Sequence, residues 1–488
     1  MKKRFVSLLT AGLLSICLSA CANDAVSTSN MPIGDPIPVS DETSLAERSA
    51  VESSIESDEN ITDLTEESSD TDSDIANIDN SSADDESNNT EKDSATSAKD
   101  SKTSEKDSKT SEKDSKTSEK DSETAEPSEE NIVQEEPEQK PSRPAPSSYY
   151  KSELTGEMID SALQNQRPVA IMVDNEILTY PHYGINQADI VYEMMNSTAN
   201  DRITRFMCIV KDYEQITRFG GVRSIRPTNF LVGFPYEAIF CHDGGPFMIN
   251  DYLNKSYCSH LSGIFARYSR SSSERPSWAT SYAGKSYARE FTEFVTYNNY
   301  KNPNTGSSYS GLKSALASAG FKKTYSSSFK GAAFKFADSE RVPSSGEGAT
   351  DATNVKLPYK HTSTSLKYNA STKTYDLYEY GHAHTDAADG NKVTSFKNVF
   401  LLSCSFSEYG EGYMIYNYYN HKNDIDSMNK GFYLTDGKVI PIKWDKTNRD
   451  TDHCKYYNAV TKEELVVNPG KIYINIVPED NWGGVSVY

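Results

Sequence analysis

No aromatic residue occurs between residues 22 and 148, and this absence limits how much of the 488-residue chain can fold. The segment consists mainly of Ser, Thr, Asp, Glu, Asn and Lys, and the unit DSKTSEK occurs three times in succession from Asp100 to Lys120. A seven-residue period is typical of coiled coils, but every position of this unit is polar, so there is no apolar seam to bury. Burial of so few apolar groups cannot offset the entropy of ordering the chain. We therefore expect a disordered N-terminal stalk at residues 21–150 and a folded part at residues 151–488.

Most of the acidic charge belongs to this stalk. Residues 22–150 contain 35 acidic and 11 basic side chains, and the formal net charge of the whole chain is −21, so residues 151–488 are close to neutral. The low isoelectric point, about 4.9, is therefore no guide to the ligands of the folded part. The lack of a basic excess argues against nucleic acid as a partner. A flexible stalk of this length has a typical reach of roughly 60–70 Å.

The first 20 residues have the three parts of a secretory signal peptide. A basic start at residues 2–4 precedes an apolar run from Phe5 to Leu18. This run, at about fourteen residues, is shorter than the roughly twenty that span a bilayer. Residues 18–21 read Leu-Ser-Ala-Cys and resemble the bacterial lipobox, in which the Cys thiol receives a diacylglycerol and the signal is cut just before it. We expect lipidated Cys21 to tether the protein to the outer face of the bacterial cytoplasmic membrane.

Two other interpretations of the N-terminus remain open at this point. One is an ordinary cleaved signal peptide followed by an accidental cysteine, and the other is a membrane-spanning anchor, although no other apolar run approaches the necessary length. Two acyl chains, at about 0.8 kcal/mol per buried methylene, hold a protein on a membrane where a single chain does not. The lipid bilayer is therefore the expected partner of the N-terminus.

The folded part begins with strands and helices in alternation. Short apolar runs predict buried strands, Pro227 and Pro246 are placed as helix starts, and Gly320 is placed as a helix stop. Strands are predicted at 167–174, 189–195, 203–210 and 238–242, and helices within 223–234, from 246 onward and over 312–319.

From about residue 330 the pattern changes to short alternating segments separated by turn signals. Strands are predicted at 332–336, 374–380, 397–402, 412–418, 439–444 and 471–477. The sequence thus predicts an α+β protein. It has an α/β first domain at residues 151–340, a mainly antiparallel β second domain at residues 341–488, and a joint in the Ser- and Gly-rich segment 342–351.

Five cysteines lie in the folded part, an odd number, so at least one is free or is paired outside the chain. They are Cys208, Cys241, Cys258, Cys404 and Cys454. Two of them, Cys208 and Cys241, lie in apolar runs typical of buried thiols. Their spacing does not match a zinc site, and the sequence leaves their pairing open.

A series of motifs extends along the folded part from about residue 165 to 480. They are RPVAIMVDN (167–175), GINQADIVYE (184–193), ITRF (203–206), GGVRSIRP (220–227), HDGGP (242–246), YEYGHAHTD (378–386), KNVF (397–400), GKVIPIKW (437–444) and NPGKIYINIVP (468–478). In this order they resemble the YerB-like lipoprotein family, which carries domain of unknown function 3048. The resemblance implies a lipobox, a low-complexity spacer and two domains, and it implies no activity. One segment departs from the family's pattern, because RPSWATSYA (275–283) lacks the His and Asn that family members show there.

The first candidate ligand site contains Asp174, Arg223 and Arg226. Asp174 falls at the end of a predicted strand, where open α/β sheets place their ligand sites. The two arginines are three residues apart and are expected to share a helical face, as bidentate recognition of a carboxylate or phosphate requires. An anionic ligand, such as a wall polymer or a peptide carboxylate, suits this set. In the structural alternative, the arginines pair with Asp174 or Glu193 and hold loops in place.

The HDGGP motif is expected to join this site. His242 ends a predicted strand, and Gly244 and Gly245 before a helix start offer backbone N–H groups to an anion. A catalytic alternative uses His242 and Asp243 as a general base with the arginines. Adjacent residues on a strand point to opposite faces, however, and no serine has the context of a nucleophile elbow.

A second, weaker candidate is His382-Ala383-His384-Thr385-Asp386. Two histidines at i and i+2 on a strand face the same way, and His-x-His-x-Asp occurs in some dinuclear metal sites. Such sites need more ligands than these, so solvent-facing polar residues at the end of a hairpin are the alternative. We expect no cofactor.

The function expected from the sequence is binding or scaffolding at the cell envelope, without catalysis. The expected ligand is a cell-wall glycan, a wall peptide or a wall-synthesis protein. The alternative is an envelope hydrolase that uses Arg223, Arg226, His242 and Asp243.

Overall fold

The structure is a computed structural model that describes residues 144–282 and 284–488, without the side chains of residues 280–283. The signal peptide, Cys21 and the stalk up to residue 143 lie outside the described residues and stay predictions. Across the described ranges, no helix has the length and apolar character needed to cross a bilayer.

Eleven strands form one mixed central sheet, and they come from both parts of the folded chain. From edge to edge the strands are Thr350–Asp351, Lys438–Asp445, Asn429–Thr435, Asn398–Cys404, Ile472–Pro478, Ile190–Met195, Thr204–Val210, Val169–Asp174, Ile239–His242 and Ser259–Ser262, and Lys455–Asn458 also pairs with Lys438–Asp445.

The two parts of the chain meet at one parallel pair of strands in the middle of this sheet. Ile190–Met195 lies beside Ile472–Pro478, with Ile190 opposite Ile472 and Met194 opposite Ile476. Every residue of both strands is buried, as expected for strands that are covered on both faces. A single sheet therefore contains strands from residues 151–340 and 341–488. The division of the sequence into domains at residues 151–340 and 341–488 remains a prediction.

A second, antiparallel sheet covers one face of the central sheet. Its strands are Asn354–Lys356, Ser365–Asn369, Thr374–Glu379, His382–Ala383, Ser395–Phe396 and Ser486–Val487. Leu366 and Leu377 of this sheet belong to the same buried core as Val191 and Leu401 of the central sheet. The helix Leu312–Ala319 contributes Leu312, Ala315 and Leu316 to this core.

The other face of the central sheet is covered by the helix Pro227–Gly233 and by loops of the second half. Phe230 of the helix is fully buried, and its ring centre lies 4.9 Å from that of Phe240 in the sheet. Tyr416 and Trp444 belong to the same core. The central sheet is thus the middle of three layers, which explains why its strands are apolar on both faces.

Short elements complete the described fold. They are the pairs Tyr149–Lys151 with Met158–Asp160, Tyr300–Lys301 with Ser308–Tyr309, Lys335–Phe336 with Val466–Val467, Thr385–Asp386 with Lys392–Val393, and Phe406–Glu408 with Met414–Tyr416, the three strands Phe219–Gly220, Glu293–Val295 and Ala266–Arg267, and the helix Asn250–Leu253.

The predicted fold class is confirmed, because the protein is mostly β with few helices. Pro227 begins a helix and Gly320, with φ of 66°, ends one, as predicted. Three predictions were much too long. Of the strand at 412–418 only Met414–Tyr416 forms. Of the strand at 332–336 only Lys335–Phe336 forms, and the segment after Pro246 makes a 3-10 turn, Phe247–Ile249, before the single helical turn Asn250–Leu253.

Candidate functional site

Three of the predicted site residues, Asp174, Arg223 and Arg226, line one pocket of about 360 Å³, which we call the arginine pocket. Its charged lining residues are Asp174, Glu176, Arg205, Arg223, Arg226 and Glu411, and its apolar and aromatic lining residues include Leu178, Ile203, Phe291 and Tyr413. This volume lies within the range of about 300–1,000 Å³ found for small-molecule sites. The structure therefore brings the predicted carboxylate and both predicted arginines together.

Asp174 is held between two guanidinium groups. Its Oδ2 lies 2.9 Å from Arg223 Nε, and its Oδ1 lies 4.0 Å from Arg205 Nε. Arg205 lies opposite Asp174 in the sheet register, and its Nη1 donates to the Ser224 carbonyl at 2.9 Å. Burial lowers the pKa of Arg205, whereas the nearby Asp174 carboxylate opposes that shift. The single carboxylate of Asp174 is thus shared by two cations.

Arg226 has no such carboxylate partner in the described part of the chain. Its Nη1 donates to the carbonyl of the preceding residue, Ile225, at 3.1 Å, while its Nε is buried and lacks a hydrogen-bond partner. The guanidinium lies 5.6 Å from the Tyr413 ring centre. Burial, and then the charge of Arg205, lower the pKa of Arg226 to about 9. A buried cation without a counter-ion costs free energy, which a bound anion would recover.

Arg223 and Arg226 both line the pocket, but the prediction that they share a helical face was wrong. The helix begins at Pro227, so both arginines precede it and share no helical face. Arg226 is the N-cap residue and has an extended backbone, with φ of −126° and ψ of 158°. The segment is held instead by hydrogen bonds from Arg223 N to Met172 O and from Ile225 N to Gly244 O.

His242 and Asp243 lie outside the lining of the arginine pocket. The His242 ring is buried, with Nδ1 2.8 Å from Gly244 O and Nε2 3.3 Å from His260 Nδ1. Burial lowers the pKa of His242 to about 4. Asp243 interacts with the carboxylate of Glu293, which also contacts Arg267. Both ring nitrogens of His242 are therefore engaged, and this ring is not free to act as a general base beside the arginines.

Gly244 and Gly245 are also placed away from the pocket lining. The Gly244 N–H donates to Ser262 Oγ at 3.1 Å. It is therefore not free to bind an anion, although the sequence predicted this for both glycines. Gly245 allows close packing instead, because a Cβ atom there would lie 2.5 Å from Ile249 Cδ1. The following helical segment is a single turn, which gives only a weak dipole.

The residues of His382-Ala383-His384-Thr385-Asp386 do not converge. His382 is exposed and stacks on Trp278 with ring centres 4.5 Å apart, whereas His384 is buried. The expectation that both face the same way was wrong, because the chain changes partner strands at His384. Asp386 accepts backbone N–H bonds from Gly184, Asn186 and Ala388. Among the described residues, no three His, Cys, Asp or Glu side chains are grouped as metal ligands.

His384 pairs with another buried histidine. His182 Nδ1 lies 2.8 Å from His384 Nε2, and His384 Nδ1 lies 2.9 Å from Thr394 Oγ1. Burial lowers the pKa of His182 to about 3, and burial followed by the nearness of His182 lowers that of His384 well below its ordinary value. Both rings are therefore neutral at physiological pH and are polar residues of the interior.

Two residues of the pocket, Arg205 and Tyr413, were not predicted from the sequence, and only Arg205 left a signal. Arg205 is the one charged residue in the apolar run 203–210, and it belongs to the ITRF motif. Glu193, which the sequence offered as an alternative partner of the arginines, is likewise the acidic residue in the apolar strand Ile190–Met195, and it hydrogen-bonds to Thr204, Thr364 and Tyr473 instead. A charged residue inside an apolar run indicates a partner from elsewhere in the fold. Tyr413 left no such signal, because the loop that carries it enters the pocket only through tertiary packing.

Comparison with known proteins agrees with this architecture. Two family models match the chain, described as "Protein of unknown function (DUF3048) N-terminal domain" over residues 154–301 and its C-terminal domain over residues 355–474. The Bacillus subtilis (strain 168) protein named "Putative lipoprotein YerB" is 25% identical over 353 residues, which cover 72% of this chain and 92% of that protein.

A solved structure shows the same fold. The crystal structure of the YerB protein from Bacillus subtilis aligns with a TM-score of 0.50 and 21% identity, and it covers 70% of this chain and 99% of that one. The order of motifs, the two family models and the shared fold agree with one another. The chain therefore belongs to the YerB-like family of proteins of unknown function, which carry the N- and C-terminal DUF3048 domains.

Proposed function

We propose that this protein is a lipid-anchored binding protein of the bacterial cell envelope, whose arginine pocket holds an anionic component of the cell wall. The observation that carries the proposal is Arg226, a largely buried guanidinium that lines the pocket without a carboxylate partner in the described part of the chain. Arg223 and Arg205 surround the same space and are only partly neutralised by Asp174. An anion here gains charge-assisted hydrogen bonds from groups that are already positioned.

The proposed location rests on the N-terminal sequence. The signal-like residues 1–20 and Cys21 support lipidation, and the name of the Bacillus subtilis relative describes that protein as a lipoprotein. A flexible stalk between the lipid and the pocket gives the binding part room to reach wall components outside the membrane. With the full chain expressed in its bacterial host, Cys21→Ala should move the protein from the membrane fraction to the extracytoplasmic soluble fraction. A Cys21→Ala protein that still fractionates with membranes would remove the anchoring part of the proposal.

Binding is tested by calorimetry with the full chain in detergent micelles. The probes are inorganic phosphate, acetate and alanylalanine, which offer a phosphate, a bare carboxylate and a peptide carboxylate. Arg226→Ala should weaken binding of the best probe at least tenfold, which corresponds to about 1.4 kcal/mol. Arg449→Ala is the matched control, since it removes an equal charge from an exposed residue outside the pocket. Equal affinities for the two variants, or no binding of any probe, would contradict the proposal.

A further inference from the structure

We infer that the arginine pocket takes a zwitterionic ligand that carries a carboxylate and an ammonium group, as a free amino acid or a short peptide does. This inference rests on the proposed function, because it narrows the ligand class of the same site. It starts from the charges of the lining residues. Three arginines face three carboxylates, those of Asp174, Glu176 and Glu411, so the pocket has no formal excess of either sign.

Most of these charges already have partners. Asp174 lies between Arg223 and Arg205, and Glu176 Oε2 lies 3.1 Å from His361 Nε2. The hydrogen bond to Glu176 raises the pKa of His361, which favours its charged form. Two charged residues of opposite sign are left without an ion pair within the described chain, namely Arg226 and Glu411.

Arg226 and Glu411 both line the pocket, Arg226 as a largely buried residue and Glu411 as an exposed one. Arg226 lies over the Tyr413 ring, and Glu411 precedes that tyrosine by two residues. They do not pair with each other, so a ligand between them can neutralise both. Leu178, Ile203 and Phe291 provide an apolar wall for the uncharged part of such a ligand.

A simple anion fits this arrangement less well. A phosphate dianion would satisfy Arg226, but it would bring a second negative charge next to Glu411 and leave that carboxylate unpaired. A zwitterion instead places its carboxylate at Arg226 and its ammonium group at Glu411, and it adds no net charge to a neutral pocket. Opposite charges within about 4–6 Å favour each other, most strongly at the largely buried Arg226, where water is partly excluded.

The test compares five probes by calorimetry on the full chain: alanine, alanylalanine, N-acetylalanine, alanine amide and inorganic phosphate. N-acetylalanine keeps only the carboxylate, and alanine amide keeps only the ammonium group. We expect alanine or alanylalanine to bind at least tenfold more tightly than N-acetylalanine, alanine amide and phosphate. Glu411→Gln should reduce the affinity for the zwitterion to that for N-acetylalanine, and it should not reduce the affinity for N-acetylalanine, which has no ammonium group. Glu463→Gln, at an exposed residue outside the pocket, is the control.

The possible outcomes distinguish a failure of the zwitterion inference from a failure of the proposed function. If N-acetylalanine or phosphate binds as tightly as the zwitterions, or if Glu411→Gln and Glu463→Gln behave alike, the zwitterion inference fails and anion binding at Arg226 stands. If none of the five probes binds the wild-type protein, the proposed function fails together with the inference. Unchanged thermal unfolding of both Glu variants would show that any loss of affinity is local.

Discussion

Glu193 and Glu379 come from different halves of the chain, yet their carboxylates share one buried hydrogen-bond network. Thr364 Oγ1 lies 3.0 Å from Glu193 Oε1 and 3.5 Å from Glu379 Oε1. Tyr473 and Thr204 donate to Glu193, and Tyr180 and Asn175 donate to Glu379. No Lys or Arg forms an ion pair with either carboxylate in the described ranges. Two buried acids without a cation can remain in the interior only if at least one stays protonated.

The pH dependence of stability should follow from this pair. Burial raises the pKa of Glu193, and burial followed by the nearby Glu193 raises that of Glu379 well above the ordinary 4.5. The folded protein therefore keeps a proton that the unfolded chain releases. Stability from this pair is full below about pH 4.5 and is lost as the pH rises toward the folded-state pKa, with a slope of up to about 1.4 kcal/mol per pH unit for one group.

The test of this pH dependence is Glu379→Gln, which removes the ionisable group at nearly constant volume. In urea unfolding between about pH 5 and pH 8, the variant should lose stability less steeply than the wild type and should be at least as stable at the upper end. The exposed residue Glu463 provides the control variant Glu463→Gln. Parallel stability curves for Glu379→Gln and the wild type would show that the pair does not titrate as described.

Asp386 should contribute to folding rather than to metal binding. Its carboxylate accepts three backbone N–H groups at 2.7–2.8 Å, and it is fully buried. Asp386→Ala leaves these donors without an acceptor and should lower the free energy of unfolding by about 3 kcal/mol. Asp389→Ala is the matched control, since Asp389 pairs with the largely exposed Lys392 and should cost less than about 1 kcal/mol. Equal losses in chemical denaturation would contradict this assignment.

Substitution by alanine should lower the free energy of unfolding far more at Gly184 than at Gly320. Both have a positive φ, 86° at Gly184 and 66° at Gly320, so alanine is strained at either position. A Cβ at Gly184 would also lie 2.5 Å from Phe219 Cδ2, whereas nothing lies within 4 Å of one at Gly320. Thermal and urea unfolding should therefore show a loss of about 1 kcal/mol for Gly320→Ala and of about 2–4 kcal/mol for Gly184→Ala. Similar losses would mean that Phe219 moves aside at little cost.

The cysteines of the folded part should react in an order set by burial. All five are free thiols in the structure. Burial raises the pKa of Cys258 to about 11 and that of Cys208 well above its ordinary value. With N-ethylmaleimide at about pH 8, partly exposed Cys258 should be modified first, and Cys208 and Cys241 only after unfolding. Peptide mapping by mass spectrometry measures the order, and early modification of Cys208 would contradict it.

The sequence by itself determined the local elements of this protein. Apolar runs predicted the central strands because a strand covered on both faces needs apolar side chains at every position. Pro227 and Gly320 marked helix ends because their allowed backbone angles are a local property. The same local chemistry led to Asp174, since a charged residue at the end of an apolar run stands out without knowledge of the fold. Arg223 and Arg226 were placed together through a helical face that does not form.

Only the tertiary structure decided which segments are neighbours. The pairing of Ile190–Met195 with Ile472–Pro478 joins the two halves, and it depends on the burial of complete sheet faces, which no local pattern encodes. The same packing adds Arg205 and Tyr413 to the arginine pocket and separates His382 from His384. Within the described ranges it also leaves Arg226 without a counter-ion, because the Asp174 carboxylate is already shared by two other arginines.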